Sequence, residues 1–228
     1  DLNVMQIQIK IPVSEKLALR DPESSELGRS IVRQGVVLMQ QIGFEQFTFR
    51  KLAHEINTTE ASIYRYFENK HRLLLYILTW YWHYLQYVVL FSLQNMEDTT
   101  LKIKKVVEIL SKEPPEDLDQ SGIDKKIIYK IFIAESSKTY LTKEVGSINL
   151  ERLFKPYKDL CALIAKLFHD HNPDYPYPHS LASTLIEMAH FQTYFKDNLP
   201  SLTDFGHEPD NAGVNAYLEH LVFSALTK

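Results

Sequence analysis

The sequence predicts an all-α protein in which a small three-helix domain precedes a larger helical domain. Three observations predict this fold class. Apolar residues recur at helical spacings of three and four through most of the 228 residues. Only seven glycines occur in a chain that is 45% hydrophobic. Between residues 49 and 67, two short amphipathic segments flank a tight turn, which is the pattern of a helix-turn-helix.

The first 20 residues differ in pattern and are assigned to an N-terminal extension. Met5–Ile11 alternates apolar and polar side chains, which favours a short β-strand, and Pro12 ends the alternation. A lone strand needs a partner, for which the same segment of a second copy is one candidate. The alternative is an unstructured tail, so the extension is predicted with or without a short N-terminal strand.

Residues 21–72 are predicted to form the three-helix domain. A turn at Asp21-Pro22 leads into a first helix from Ser25 to Ile42, and Gly43 supplies the residue that stops it. The second helix spans Phe49–Glu55 and the third spans Glu60–Phe67. Such a corner places its last helix in the DNA major groove.

The third helix carries side chains suited to DNA. Thr59 is the predicted cap of this helix. Ser62 suits hydrogen bonds to base edges, Ala61 suits a thymine methyl group, and Glu60 suits the amino group of cytosine. Tyrosine hydroxyls suit phosphate oxygens, and Lys70 begins the next helix, where its charge and free amides favour phosphate.

Two segments resemble the DNA-binding domain of the TetR/AcrR family of bacterial transcriptional regulators. They are TFRKLA at residues 48–53 and IYRYFENK at residues 63–70, followed by Leu73-Leu74. Gly43-Phe44 also lies where that family ends its first helix. Residues 57, 58, 59 and 61 are Asn, Thr, Thr and Ala, where the family often has Gly, Val, Ser and Gly. All four residues are compatible with the backbone conformation of the family's fold.

The resemblance implies a role for each matched position. Arg50, Glu60, Ala61 and Ser62 would read bases, while Thr48, Tyr64, Tyr66 and Lys70 would hold phosphates. The carboxylate of Glu60 would repel phosphate, so its role depends on contact with a cytosine. With the cap Thr59, the predicted DNA-binding set is Thr48, Arg50, Thr59, Glu60, Ala61, Ser62, Tyr64, Tyr66 and Lys70.

Residues 73–228 are predicted to form the second domain, after a long helix has begun at Lys70 and run to about Leu93. Later helices are predicted at Thr100–Lys112, Ile123–Ser136, Ser147–His169, Pro178–Asn198 and Asp210–Leu226. Breaks rich in Pro, Asn and Gly separate them. The resemblance implies that this domain binds a small effector and forms a homodimer.

The aromatic residues of this domain suit a largely apolar or aromatic effector. The predicted ligand-binding residues are Trp80, His83, Tyr84, Tyr87, Tyr129, Phe132 and Phe191. The simpler alternative is that these side chains are ordinary core, and that polar residues such as His190 and Glu187 are core residues with satisfied hydrogen bonds. The last two helices form the predicted dimer surface through Leu181, Leu185, Met188, Leu218, Leu221 and Val222.

Other function classes find little support. The sequence has no phosphate-binding loop, nucleophile motif or metal-ligand cluster, so we expect neither an enzyme nor a cofactor. It has no run of about 18 apolar residues, so no membrane span is expected. The single Cys161 is expected to be an inert thiol and fits the cytoplasm.

The charge distribution keeps one alternative open. The net charge is −4, and residues 1–75 hold ten Lys/Arg against nine Asp/Glu. Affinity for double-stranded DNA must therefore come from a few placed cations, backbone amides and dimerisation. The alternative to a ligand-responsive homodimeric repressor on a palindromic operator is a helical protein-interaction adaptor whose DNA binding is weak or lost.

Overall fold

The all-α fold class is confirmed by a computed structural model that describes residues 16–114, 124–150, 152–206 and 208–227. Met5–Ile11 lies outside the described residues, so the strand stays a prediction. The helices are α1 (Glu26–Gln46), α2 (Phe49–Glu55), α3 (Glu60–Tyr64), α4 (Lys70–Leu93), α5 (Thr99–Ser111), α6 (Lys125–Glu135), α7 (Ser137–Tyr140), α8 (Val145–Leu150), α9 (Lys155–His171), α10 (Pro178–Asn198) and α11 (Ala212–Leu226). Short 3₁₀ turns lie at Pro22–Ser24 and Pro200–Leu202.

The chain divides into two compact units. Of the described residues, the first unit comprises 16–83, 114, 124–150 and 152–154, and the second comprises 84–113, 155–206 and 208–227. The helix-turn-helix of α2 and α3 belongs to the first unit, together with α1, α6, α7 and α8. The domain boundaries at residues 20 and 72 stay predictions.

Two predicted helices end differently from the expectation. The third helix ends at Tyr64, not at Phe67, so residues 65–67 leave the helical register. The single helix predicted for Ser147–His169 is wrong, because α8 and α9 are separated near Arg152, whose φ is 61°. A left-handed residue cannot continue an α-helix. Pro156 then sits in the first turn of α9, where proline is tolerated.

Side-chain caps begin the three helices of the N-terminal part. The Oγ atom of Ser25 accepts from the amide of Gly28 at 3.0 Å. The Oγ1 atom of Thr48 accepts from the amide of Lys51 at 3.2 Å, and that of Thr59 accepts from the amide of Ser62 at 3.2 Å. Each cap satisfies an amide that has no partner within its helix, which fixes where the helix begins.

Large apolar side chains join these helices into one core. Ile31, Phe47, Leu52, Ile63 and Phe67 are all fully buried. Leu73 and Leu74 at the start of α4 are buried as well. Because α3 has only five residues, it is too short to be stable alone. Its position therefore depends on Ile63 and on the residues that follow it.

In the second unit, α10 contacts α5, α9 and α11. Its buried side chains include Leu185, Ile186 and Ala189. Leu218 and Val222 of α11 and Ile164 of α9 are also fully buried. No helix within the described ranges is long and apolar enough to cross a membrane.

Candidate nucleic-acid interface

The turn between α2 and α3 has the geometry that a helix-turn-helix requires. Asn57 has a φ of 51°, the left-handed conformation that Asn adopts more readily than most residues. The amide of Thr58 donates to the carbonyl of Ala53 at 2.9 Å, which closes the turn. Across the corner, the rings of Phe49 and Tyr64 meet edge to face with centroids 5.0 Å apart. This geometry holds α3 against α2.

Most of the predicted DNA-binding residues are accessible on α3 and at the start of α2. Thr48, Arg50, Thr59, Glu60 and Ala61 are exposed. Tyr64 is 48% exposed. Ser62 is half-buried, and its hydroxyl lies 3.0 Å from the Oγ1 atom of Thr59. The corner therefore presents a polar surface made of hydroxyl, guanidinium, carboxylate and methyl groups.

The carboxylate of Glu60 has a local structural explanation. Glu60 lies in the first turn of α3, and its side chain is exposed. Negative charge near a helix N-terminus is stabilised by the unsatisfied amides of that turn. The residue therefore fits the helix whether or not it meets a base.

Tyr66 is placed inside the domain. It is only 3% exposed, because it follows the end of α3 and turns toward α1. Its hydroxyl lies 2.7 Å from the Oγ atom of Ser25, and its carbonyl accepts from the amide of Leu19 at 2.8 Å. The guanidinium of Arg20 lies 5.4 Å from the centre of its ring. Contact between Tyr66 and a phosphate stays a prediction, and it would require the hydrogen bond between Tyr66 and Ser25 to break.

Lys70 also has partners inside the domain. Its Nζ atom donates to the carbonyls of Phe44, Glu45 and Phe47 at 3.0, 3.2 and 3.2 Å. An ammonium group has three donors, so these carbonyls use all of them. Lys70 thus caps the end of α1, and its phosphate contact stays a prediction that requires at least one of these bonds to break.

One exposed cation was missing from the predicted DNA-binding set. Arg65 follows α3 directly, and its side chain is exposed. The available signal was its position, since it adjoins Tyr64 on the outward side of the third helix. Its guanidinium adds a donor group to the polar surface around α3.

The predicted ligand-binding residues fall into two groups. Trp80, His83, Tyr129 and Phe132 belong to the first unit, whereas Tyr84, Tyr87 and Phe191 belong to the second. The rings of Phe132 and Trp82 meet edge to face with centroids 4.5 Å apart. Phe191 is 38% exposed and stacks on Phe195 with centroids 5.9 Å apart. Their role in ligand binding stays a prediction.

The second unit contains a cavity that the sequence did not indicate. It encloses about 750 Å³ between α5, the loop before α11 and the first turns of α11. Its apolar wall is formed by Met96, Leu101, Pro209 and Ala212, and its lysines are Lys104, Lys105, Lys112 and Lys196. None of the seven predicted ligand-binding residues lines this cavity.

Polar groups in the cavity wall are fixed by neighbouring residues. The side-chain amide of Asn211 donates to the carbonyl of Ser111 at 2.7 Å, and that of Asn215 donates to the Ser111 hydroxyl at 3.0 Å. The Oδ1 atom of Asn211 is buried and has no hydrogen-bond partner among the described residues. Glu108 pairs with Lys105 at 2.7 Å and also with Lys112. The cavity wall therefore carries four lysines and four carboxylates, those of Glu108, Glu113, Asp210 and Glu219, and several of these charges already pair with one another.

The predicted dimer residues lie mostly within the core of the second unit. Leu185, Leu218 and Val222 are fully buried, and Leu181 is 7% exposed. Met188 and Leu221 are half-buried. The first four therefore pack α10 and α11 within one chain, and a second chain has access to the outer faces of these helices.

Two titratable groups of the second unit have pKa values that are shifted by burial. Burial lowers the pKa of His190 to about 3, so the imidazole is neutral. Burial, with a contribution from the nearby Glu187 carboxylate, raises the pKa of the Cys161 thiol to about 12. The hydroxyl of Tyr157 donates to the Oε1 atom of Glu187 at 2.6 Å. A thiol with so high a pKa is a poor nucleophile.

Comparison with solved structures shows the same fold in three other proteins. AibR in complex with isovaleryl coenzyme A and operator DNA has a TM-score of 0.58 at 16% identity, covering 86% of this chain and 97% of that one. The fatty acid degradation regulator FadR from Bacillus halodurans has a TM-score of 0.53 at 15% identity, covering 85% and 92%. The superantigen PfiT has a TM-score of 0.55 at 17% identity, covering 91% and 97%.

Comparison by sequence identifies the helix-turn-helix directly. No curated protein matches the chain. The family model described as bacterial regulatory proteins of the tetR family matches residues 31–77, which include α2, α3 and the start of α4. The matched segment contains the capped turn and the exposed polar surface described above. The helix-turn-helix therefore lies in a segment that resembles the tetR family of bacterial regulatory proteins.

Proposed function

We propose that this protein is a transcriptional regulator that binds a palindromic operator as a homodimer and releases it when a small molecule binds. The observation that carries the proposal is the exposed polar surface of α3, held by the Thr59 cap within a segment that matches a family of DNA-binding regulators. Repression, rather than activation, rests on the resemblance to that family.

In the proposed complex, the start of α3 enters the major groove. Ala61 and Ser62 face base edges, and Arg50 reaches in from the start of α2. Tyr64 and Thr48 contact phosphates, and Arg65 adds a charge at the end of α3. Two copies of α3 must lie about 34–36 Å apart to reach successive grooves, so the operator should be a palindrome.

Dimerisation would use the outer faces of α10 and α11. Phe191 and Tyr217 are large and exposed on these helices, at 38% and 36%. Two helices from each chain would form a four-helix interface, and the buried leucines would hold the two helices together within each chain. Sedimentation equilibrium should give a dimer mass, and Phe191→Glu with Tyr217→Glu should give a monomer. Ala162→Glu, at an exposed position of α9, is a control for added surface charge.

Selection from random DNA tests the regulator proposal. The protein should enrich a palindrome at low salt, with affinity that falls steeply as salt rises. Arg50→Ala should weaken the selected binding, whereas Lys166→Ala, which removes an exposed cation on α9, should not. Absence of enrichment at low salt would favour the protein-interaction adaptor, which the nearly balanced charge of residues 1–75 supports.

The effector proposed first for testing is an acyl thioester of coenzyme A. AibR was solved in complex with isovaleryl coenzyme A, and the cavity of the second unit combines an apolar wall with four lysines that are balanced by four carboxylates. Its volume of about 750 Å³ is in the range of small-molecule sites. The fold alone does not assign a ligand, since the superantigen PfiT shares it.

Calorimetric titration with isovaleryl coenzyme A tests this site. Binding should weaken in Lys104→Met and Lys112→Met and stay unchanged in Lys166→Met. Binding that is unaffected by the substitutions of cavity lysines but is lost in Tyr87→Ala would move the site to the predicted aromatic residues. Absence of heat with the thioester would remove this ligand class.

A further inference from the structure

A buried carboxylate of α6 holds the end of α1. Glu135 is 8% exposed, and its Oε1 atom accepts from the backbone amide of Phe44 at 3.1 Å. The two residues are 91 positions apart in the chain. Both belong to the first unit, in which α1 contacts α6. This bond therefore joins the DNA-binding segment to a helix far outside it.

The bond is made where α1 breaks. Gly43 has a φ of 74° and a ψ of 157°, so the helix is interrupted before its last turn. An amide after such a break lacks a partner in its own helix, and a buried amide without a partner is costly. Glu135 supplies the missing acceptor. Its Oε1 atom is the nearest neighbour of the position that a Cβ atom on Gly43 would occupy, at 4.0 Å.

Lys138 connects the same carboxylate to α1 a second time. Its Nζ atom lies 2.6 Å from Glu135 Oε2 and 2.9 Å from Glu45 Oε1. The ammonium also lies 5.8 Å from the centre of the Phe44 ring. Salt bridges on the surface contribute little, but this one includes a carboxylate whose side chain is only 10% exposed.

The end of α1 leads directly into the helix-turn-helix. Phe47 follows the last residue of α1, and Thr48 caps α2. Lys70 of α4 holds the carbonyls of the same turn, so the turn is fixed on its carbonyl side by α4 and on its amide side by α6. A shift of α6 would therefore move the point from which α2 and α3 begin.

We propose that Glu135 and Lys138 are positioning residues for DNA binding, which tie the orientation of the helix-turn-helix to the position of α6. The consequence for operator affinity rests on the proposed function. The contact itself does not, because it is a property of the free protein.

Four variants separate the parts of this contact. Glu135→Gln keeps an oxygen that accepts from the Phe44 amide but removes the charge. Glu135→Leu removes both, and Lys138→Met removes the ammonium. Asp170→Asn is the matched control, since it breaks an exposed pair with Lys166 at 2.6 Å on α9 of the second unit.

Hydrogen–deuterium exchange on the free proteins is the first measurement. Exchange of the peptide that covers residues 43–52 should increase about tenfold or more in Glu135→Leu, since one hydrogen bond to a charged group is lost. It should increase less in Glu135→Gln and Lys138→Met, and stay unchanged in Asp170→Asn. Unchanged exchange of this peptide in Glu135→Leu would overturn the proposal.

The second measurement is the ratio of specific to non-specific DNA affinity, on the operator selected by the wild type. Glu135→Gln and Lys138→Met should lower this ratio about tenfold, because non-specific binding depends on charge and tolerates misplacement. A purely stabilising contact would lower the thermal midpoint and leave the ratio unchanged, which would overturn positioning. If the wild type selects no DNA, the proposed function fails and the exchange measurement alone decides the contact.

Discussion

Substitution of Lys70 by Met distinguishes a helix cap from a phosphate contact. The Lys70 Nζ atom donates to three carbonyls at the end of α1, at 3.0, 3.2 and 3.2 Å. It also lies 4.6 Å from the centre of the Phe44 ring. Methionine fills a similar volume but donates nothing, so the carbonyls would lose their partner while the packing of the stem is kept.

The size of the effect follows from these contacts. A hydrogen bond to a charged group contributes about 1.5–3 kcal/mol when it is well formed. One of the three bonds is exposed and all three share one ammonium, which is hydrated in the unfolded chain, so the full sum does not apply. We expect a loss of about 2 kcal/mol in the free energy of unfolding, which corresponds to a fall of about 4–8 °C in the thermal midpoint.

Calorimetry and DNA binding together decide between the two roles. A cap predicts the lower midpoint with an unchanged slope of log affinity against log salt. A phosphate contact predicts that the slope decreases by about 1 in magnitude while the midpoint stays the same. Lys51→Met is the matched control, since its Nζ atom donates to one exposed carbonyl, that of Gln46. An unchanged midpoint with a reduced slope would refute the cap.

Three further predictions concern stability and reactivity. Gly28→Ala should destabilise the fold by about 1–3 kcal/mol in urea titration, because its Cβ atom would lie 2.2 Å from the Pro22 carbonyl oxygen, whereas Gly146→Ala, with nothing within 4 Å, should not. The pKa of His190 falls from 6.5 to about 3 on folding. The contribution of this residue to the free energy of unfolding should therefore be complete above pH 6.5 and decrease below it by up to about 1.4 kcal/mol per pH unit. His190→Gln should reduce this pH dependence. Cys161, with its pKa near 12, should react with iodoacetamide at pH 8 far more slowly in the folded protein than in urea, and equal rates would contradict the raised pKa of this half-buried thiol.

The features that the sequence predicted correctly are local ones. The predicted cap Thr59 acts on an amide three residues ahead, and Gly43 does interrupt the first helix. Ile63 is fully buried, as expected for an amphipathic segment, because the helical period is regular over such short distances. The helix-turn-helix could therefore be predicted from the sequence alone.

The features that escaped prediction depend on contacts between distant residues. Tyr66 was expected on the DNA-facing side by continuing the third helix, but α3 ends at Tyr64 and the side chain turns toward Ser25. The carbonyls that Lys70 holds lie 23–26 positions earlier in the chain. The Glu135 contact spans 91 positions and carries no local signal. Periodicity describes one helix at a time and does not indicate such partners.

The same reason explains why the sequence did not indicate the cavity of the second unit. Aromatic residues at helical spacing predict a buried face, and Tyr129 and Phe132 are indeed buried. Whether a buried ring lines a cavity depends on how several helices meet. The cavity of the second unit is lined by Lys104, Asn211 and other residues whose positions in the sequence indicate only polar surface.

Selection from random DNA with the wild type and Ser62→Ala in parallel tests most directly whether α3 reads bases. The wild type should enrich a palindrome, and Ser62→Ala should relax or change the preferred base at one position in each half-site, by about 1–3 kcal/mol of discrimination. A variant that selects the same sequence with uniformly altered affinity, or a wild type that enriches nothing at low salt, would contradict base reading by α3.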